Sequence, residues 1–263
     1  MRKYIYIFKT ALIENLQYVI DIVFGFINYA VIVFIFLNLW VYMYKDGSGI
    51  ISGYSINQMI WYVLITEMIW FGTKNRVLTK EISDDIKSGK IAYNINKPYH
   101  YILYLIFKYI GDIAIKFMLF LIFGIIVGNI FIGPLDTFEI YYLPFIVIVF
   151  FLAILIEAIM RIAISLVSFW FEENKPFIWI YEKIILVLGV VFPVEMFPKF
   201  LQSILIWSPI FVITYGPAKL VVDFSFSALF KILLVQFIYL IISTILVLLM
   251  YRKGAKRLNV NGG

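Results

Sequence analysis

The sequence contains no cysteine, which excludes a disulfide framework and a thiolate metal site. Its single histidine, His100, argues against a zinc centre, although carboxylates alone would still bind a hard cation. There is no Gly-x-x-x-x-Gly-Lys-[Ser/Thr] run and no Gly-x-Ser-x-Gly, so neither a Walker-type nucleotide site nor a nucleophile elbow is present. No metal, cofactor or catalytic constellation is expected in this chain. Charge is also scarce. Charged residues make up 14% and apolar residues 63%, where a soluble domain is nearer a quarter charged and half apolar. Such a chain has too little polar surface for a water-soluble body, so its solvent is a lipid bilayer.

The net charge of +6 does not point to nucleic acid, because the basic residues gather at the ends of apolar runs, where they meet the cytoplasmic leaflet. The start of the chain lacks an Ala-x-Ala-like cleavage site, so it is expected to be retained. A length of 263 residues allows one membrane domain with no appended soluble domain.

A span needs about 20 apolar residues. Residues 22–44 are uncharged and give the first span. The second is expected at 56–72 with Glu67, the third at 102–130 with Asp112 and Lys116, and the fourth at 142–171 with Glu157 and Arg161. A fifth is read at 176–191 and a sixth at 232–251. Between the last two, Pro193, Pro198, Pro209 and Pro217 cut the chain into pieces too short to span. Broken backbone at membrane depth is tolerated only against protein or water, so 192–213 is read as a re-entrant hairpin. In the 1–20 segment, Ile5, Phe8, Leu12, Leu16 and Val19 recur at helical spacing. That stripe predicts an amphipathic helix lying in the interface. The fold class is thus an all-α membrane protein of six transmembrane helices.

With the N-terminus inside, Arg2, Lys3, Lys9, the six basic residues of 74–97, Lys175 and the four of 252–257 lie inside. Only Lys45, Lys199, Lys219 and Lys231 lie outside. Fourteen against four places both termini in the cytoplasm by the positive-inside rule.

The cytoplasmic loop 74–100 carries Leu78, Ile82 and Ile86 four apart, with Glu81, Asp84, Asp85 and Lys87 around them. Gly89 follows as a helix stop, and Pro98 turns the chain back toward the membrane. This short amphipathic helix suits a partner contact or a rest on headgroups, and the pattern alone leaves both open. Glu157 and Arg161 stand i, i+4 and face each other, either as a packing pair or beside a transport path. Glu67 has no local partner.

Two stretches carry a family resemblance. Residues 87–98, Lys-Ser-Gly-Lys-Ile-Ala-Tyr-Asn-Ile-Asn-Lys-Pro, and residues 189–201, with Phe192-Pro193 and Phe197-Pro198, resemble the inner loop and outer hairpin of type-2 ATP-binding-cassette exporter permeases. The likeness is to the six-span branch without a fused ATPase. It implies a permease that pairs with a second, identical or related permease in the cell (cytoplasmic) membrane. ATP and Mg would be bound by a separate cytoplasmic ATPase dimer. It further implies that 78–90 is a coupling helix and that Phe192, Pro193, Met196, Phe197 and Pro198 form an outer gate. Lys97 stands where many relatives have arginine, which keeps the turn but removes a bidentate contact. The Phe- and Ile-rich spans suit a hydrophobic or amphipathic cargo such as a lipid, glycolipid, peptide or drug. A non-transporting membrane interaction, immunity or assembly protein is the alternative reading.

Overall fold

The computed structural model describes residues 2–16, 19–45, 49–171 and 173–258, and these are mostly helical. Among the described residues, four stretches are long and apolar enough to cross a membrane: Ile22–Tyr44, Tyr101–Phe131, Ile140–Phe169 and Phe226–Arg257. The first coincides with the uncharged run read from the sequence.

Helix α1 (Arg2–Asn15) leads to α2 (Val19–Tyr44). A small antiparallel hairpin follows, β1 (Ile50–Ile51) and β2 (Tyr54–Ser55). Its turn has φ +51 at Ser52 and +88 at Gly53, the paired positive values of a two-residue hairpin loop. Ser55 then caps α3 (Ile56–Thr73). Its hydroxyl accepts from the Gln58 amide, and the Gln58 side chain accepts from the Ser55 N–H, a capping box.

Helices α4 (Arg76–Lys87) and α5 (Lys90–Ile95) are short, and α6 (Tyr101–Phe131) is long. Helix α7 (Leu143–Ser165) carries Pro144 in its first turn, where the missing N–H has no partner to lose. α8 (Lys175–Ile185) starts the same way with Pro176 and runs on into a π-turn, Leu186–Val190. After α9 (Lys199–Leu205), a second π-turn, Phe211–Tyr215, leads directly into α10 (Gly216–Val222). α11 (Phe226–Leu258) completes the described chain.

Helix α3 forms the centre. It is buried along most of its length, with α2, α6 and α10 packed around it. Two glycines let α6 and α3 approach closely: a Cβ on Gly128 would lie 2.4 Å from the Trp61 ring, and one on Gly72 would lie 2.8 Å from Phe117. Around α3 lies the main apolar core. A second core joins α4 to the adjoining ends of α6, α7 and α11 through Leu78, Ile82, Ile102, Leu105, Ile159 and Val247.

Two expectations need adjusting. The stripe expected on α1 is turned: Tyr4 and Ala11 are buried, while Ile5 and Leu16 are about half exposed. Helix α1 packs on α6 because Gly111 permits contact, a Cβ there lying 2.6 Å from the Phe8 carbonyl oxygen and 2.8 Å from Ala11. Val19 lies outside the described side chains. Pro217 reads as a break in the sequence, yet the helix passes through it. Proline cannot donate to the carbonyl five residues back, that of Val212. The Gln236 amide donates there instead at 3.1 Å, and to the Val149 carbonyl at 2.9 Å.

Candidate coupling site and proline-rich segment

Helix α4 begins where the Asn75 side chain accepts from the Leu78 N–H at 3.0 Å. The Asn75 amide in turn donates to Asp112 on α6, which also accepts from Asn15 of α1. One carboxylate therefore ties α1, α4 and α6 together. Leu78, Ile82 and Ile86 all point inward, into the second core. Full burial of one such side chain is worth about 1.5–3 kcal/mol, so the stripe seats α4 on its own bundle.

The polar residues of α4 divide sharply. Asp85 is buried, accepts from the Asn94 amide at 2.8 Å and pairs with Lys90 at 3.5 Å. Glu81 accepts from the Lys108 ammonium. Lys80, Asp84 and Lys87 are exposed, with Lys87 lying 3.7 Å from Glu173. Gly89 follows the helix with φ +73, the left-handed stop read from the sequence, and the Pro98 carbonyl accepts from the Lys3 ammonium. The exposed face opens onto a cleft of about 580 Å³ between α4 and the start of α8, lined by Lys80, Asp84, Glu173, Asn174 and Trp179 among others.

At the floor of this cleft, charge passes from α4 into the helix bundle. Glu157 and Arg161 do pair, as their spacing predicts. The third member is Glu182 of α8, which accepts from Arg161 at 3.1 Å, from Arg76 at 3.3 Å, and lies 3.7 Å from Lys74. Tyr181 donates to the other oxygen of Glu157. Burial lowers the Lys74 ammonium from its ordinary range, with Glu182 opposing that shift. Glu182 is visible in the sequence as a charge within an apolar run, but its partners lie on α4, on α7 and on the link before α4, and single-helix spacing carries no sign of them. Glu67 is fully buried in α3 and neither carboxylate oxygen has a hydrogen-bond partner among the described residues.

At the opposite end of α3 lies the proline-rich segment. Phe192 meets Trp40 and Phe197 edge-on at 6.1 and 6.3 Å. Pro193 is buried, Met196 and Phe197 are half-buried, and Pro198 is exposed. The two π-turns pack on each other through Gly189, where a Cβ would stand 2.4 Å from both Ile210 and Thr214. Side chains of α3 serve the widened turn: Tyr62 donates to the Gly189 carbonyl and Thr66 to that of Val190, each at 3.0 Å. Neither π-turn is legible in the sequence.

The chain thus carries an amphipathic helix seated on a bundle of apolar helices. The family model described as ABC-2 family transporter protein matches residues 26–262, and the chain belongs to that family. It is a permease, the membrane-embedded transport component of an ABC exporter. No curated protein matches the chain.

Proposed function

We propose that this permease pairs with a second, identical or related permease to form a path for a hydrophobic or amphipathic substrate, and that separate cytoplasmic ATPase subunits drive it. In this reading the chain is one domain with six spans. Helix α3 and the α8 segment are the second and fifth, beside the four long apolar stretches. Both termini face the cytoplasm, and α4 is the coupling helix. The segment 192–213 is the re-entrant outer hairpin, with Phe192, Met196 and Phe197 as its apolar gate. ATP and Mg belong to the partner subunits, and this chain carries no catalytic group.

The observation that carries the reading is the division of α4. Leu78, Ile82 and Ile86 bind the helix to α6 and α7, while Lys80, Asp84 and Lys87 are left at the surface beside an open cleft. A force on the exposed face reaches the bundle through that apolar seat and through Glu182, which joins Arg76 to Arg161. The residues that touch the ATPase are therefore Lys80, Asp84 and Lys87, whereas Leu78, Glu81, Ile82, Asp85 and Ile86 hold α4 rigid.

The test is co-purification with the ATPase subunit after mild detergent extraction. The double variant Lys80→Glu, Asp84→Arg should lower ATPase recovery by about tenfold or more, equivalent to about 1.4 kcal/mol, with unchanged elution of the permease itself. Equal recovery with wild type would remove α4 from the contact.

A further inference from the structure

Between Pro193 and Pro198 the chain makes one tight turn, Val194–Met196, with extended backbone at Pro193 and Phe197 on either side. Val194 is buried in the main core. The Gln202 amide of α9 donates to the backbone carbonyls of Glu195 and Phe197, so the turn and α9 are joined. Toward the rest of the bundle, the polar hold on the turn is the Glu195 carboxylate. One oxygen accepts from the hydroxyl of Tyr215, at the head of α10, and lies 3.4 Å from the Lys219 ammonium. The other is closed off from solvent and faces the Tyr54 hydroxyl of β2, with no hydrogen bond made. The Tyr54 ring lies 4.5 Å from the Lys219 ammonium, and its carbonyl accepts from Tyr44 of α2 at 2.8 Å.

Lys219 stands between two acids. Tyr215, Lys219 and Asp223 are spaced four apart and share one face of the helix, and Asp223 lies 2.7 Å from the same ammonium. Tyr215 is buried, whereas Asp223 is more than half exposed. The inner carboxylate, Glu195, belongs to the turn; the outer one, Asp223, does not. Breaking a buried pair is costly when it leaves a charge uncompensated. Here Lys219 keeps Asp223 when Glu195 lets go, so the turn can be released with the cation still paired.

We propose that Glu195 is the latch of the outer gate. Held by Tyr215 and Lys219, it keeps Val194–Met196 seated against α10 and β2. When Lys219 passes wholly to Asp223, the turn lifts, and Phe192, Met196 and Phe197 move with it. Glu195 is thus a positioning residue that sets the place of the gate side chains, and Asp223 sets how readily it lets go. Calling the segment a gate rests on the exporter reading, whereas the latch rests on these contacts.

The chain has no cysteine, so a single thiol reports the turn. Val194→Cys places it at a buried position of the turn, and Val247→Cys places one in the second core as a control for general loosening. Each is introduced separately into the purified full chain in lipid nanodiscs, and the rate of maleimide labelling is read. Glu195→Gln keeps an acceptor for Tyr215 but removes the charge, and should speed labelling at position 194 about tenfold while leaving position 247 unchanged. Asp223→Asn leaves Lys219 to Glu195 and should slow labelling at 194 by about threefold. A merely structural role would give faster labelling with both substitutions. The double variant should label like Glu195→Gln, because Asp223 then has nothing to compete with. An unchanged rate with Glu195→Gln overturns the proposal, as does an unchanged or faster rate with Asp223→Asn, or a rise at 194 and 247 together. The effect of adding the ATPase subunit with ATP is scored separately. If the variants behave as expected but ATP does not alter labelling at 194, the latch stands and the gate reading falls. If ATP alters labelling and Glu195→Gln does not, the gate reading stands and the latch falls.

Discussion

Arg161 is 1% exposed, and its charge is met by carboxylates from two elements, Glu157 on its own helix and Glu182 on α8. Breaking a buried ion pair from one side costs about 3–5 kcal/mol, because the remaining charge stays buried and uncompensated. Glu182→Ala leaves Arg161 with one acid and strips Arg76 and Lys74 of theirs. It should lower the thermal midpoint in detergent sharply, whereas Glu182→Gln, which still accepts a hydrogen bond, should lose less. An equal drop for both would mean that packing, and not charge, holds α8 in place. At this scale the sequence shows the i, i+4 partner and misses the distant one, since helical spacing reports only neighbours on the same helix. Asp85 marks the same boundary. The sequence pattern sets it with the charges around the apolar stripe, whereas the fold buries it against the Asn94 amide, a partner beyond the end of α4. Asp84, one position away, is exposed.

Between elements, small residues decide where helices touch. The stripe expected on α1 rests on its largest apolar side chains, yet the contact with α6 is made where Ala11 and the Phe8 backbone meet Gly111. Large side chains report affinity for apolar surroundings, which lipid satisfies as well as protein does. Close approach of two backbones needs a small residue on each side. Gly111→Val would place its branched side chain against the Phe8 carbonyl and force α1 away from α6. Limited trypsin digestion should then cut after Lys9 several-fold faster than in wild type, while sites in the α4 loop keep their rates. Unchanged cleavage at Lys9 would mean that the Asn15–Asp112 bond suffices to hold α1. The longest helices were legible because an uncharged run of span length satisfies its backbone and its side chains together only as a helix in lipid. The β1–β2 hairpin and the π-turns were not: the hairpin's strands are only two residues long, and the π-turns close local bonds whose widened register is supported by packing at Gly189 and by hydroxyls from α3.

For the molecule as a whole, the proposed orientation rests on charge counting, and the absence of cysteine gives a clean way to check it. A single cysteine placed by Lys80→Cys or by Lys199→Cys is the only thiol in the chain. In sealed inside-out vesicles, a membrane-impermeant maleimide should label Lys80→Cys and spare Lys199→Cys; right-side-out vesicles should reverse the result. Labelling of both positions from one side would overturn the proposed placement of α4 and the 192–213 segment on opposite faces. The family itself was legible from two loop stretches and the pattern of apolar runs, and it is the family to which the chain belongs. The packing of the proline-rich segment on α3 was not, because it is set by Gly189 fitting between Ile210 and Thr214 and by hydroxyls of Tyr62 and Thr66 reaching across.

Those two widened turns have a mechanical meaning. A π-turn holds one more residue than the α-helical turn it replaces, so each is a stored length of chain, bonded and ready. Reversion of Leu186–Val190 to ordinary helical bonding would release one residue and swing everything beyond it by about 100°. The same change at Phe211–Tyr215 would swing α10 and the chain beyond it. Because the two turns press against each other at Gly189, slack taken up in one is felt by the other. The segment between them is hung between two one-residue escapements, each of which would keep its own turn bonded on passing to ordinary helical register.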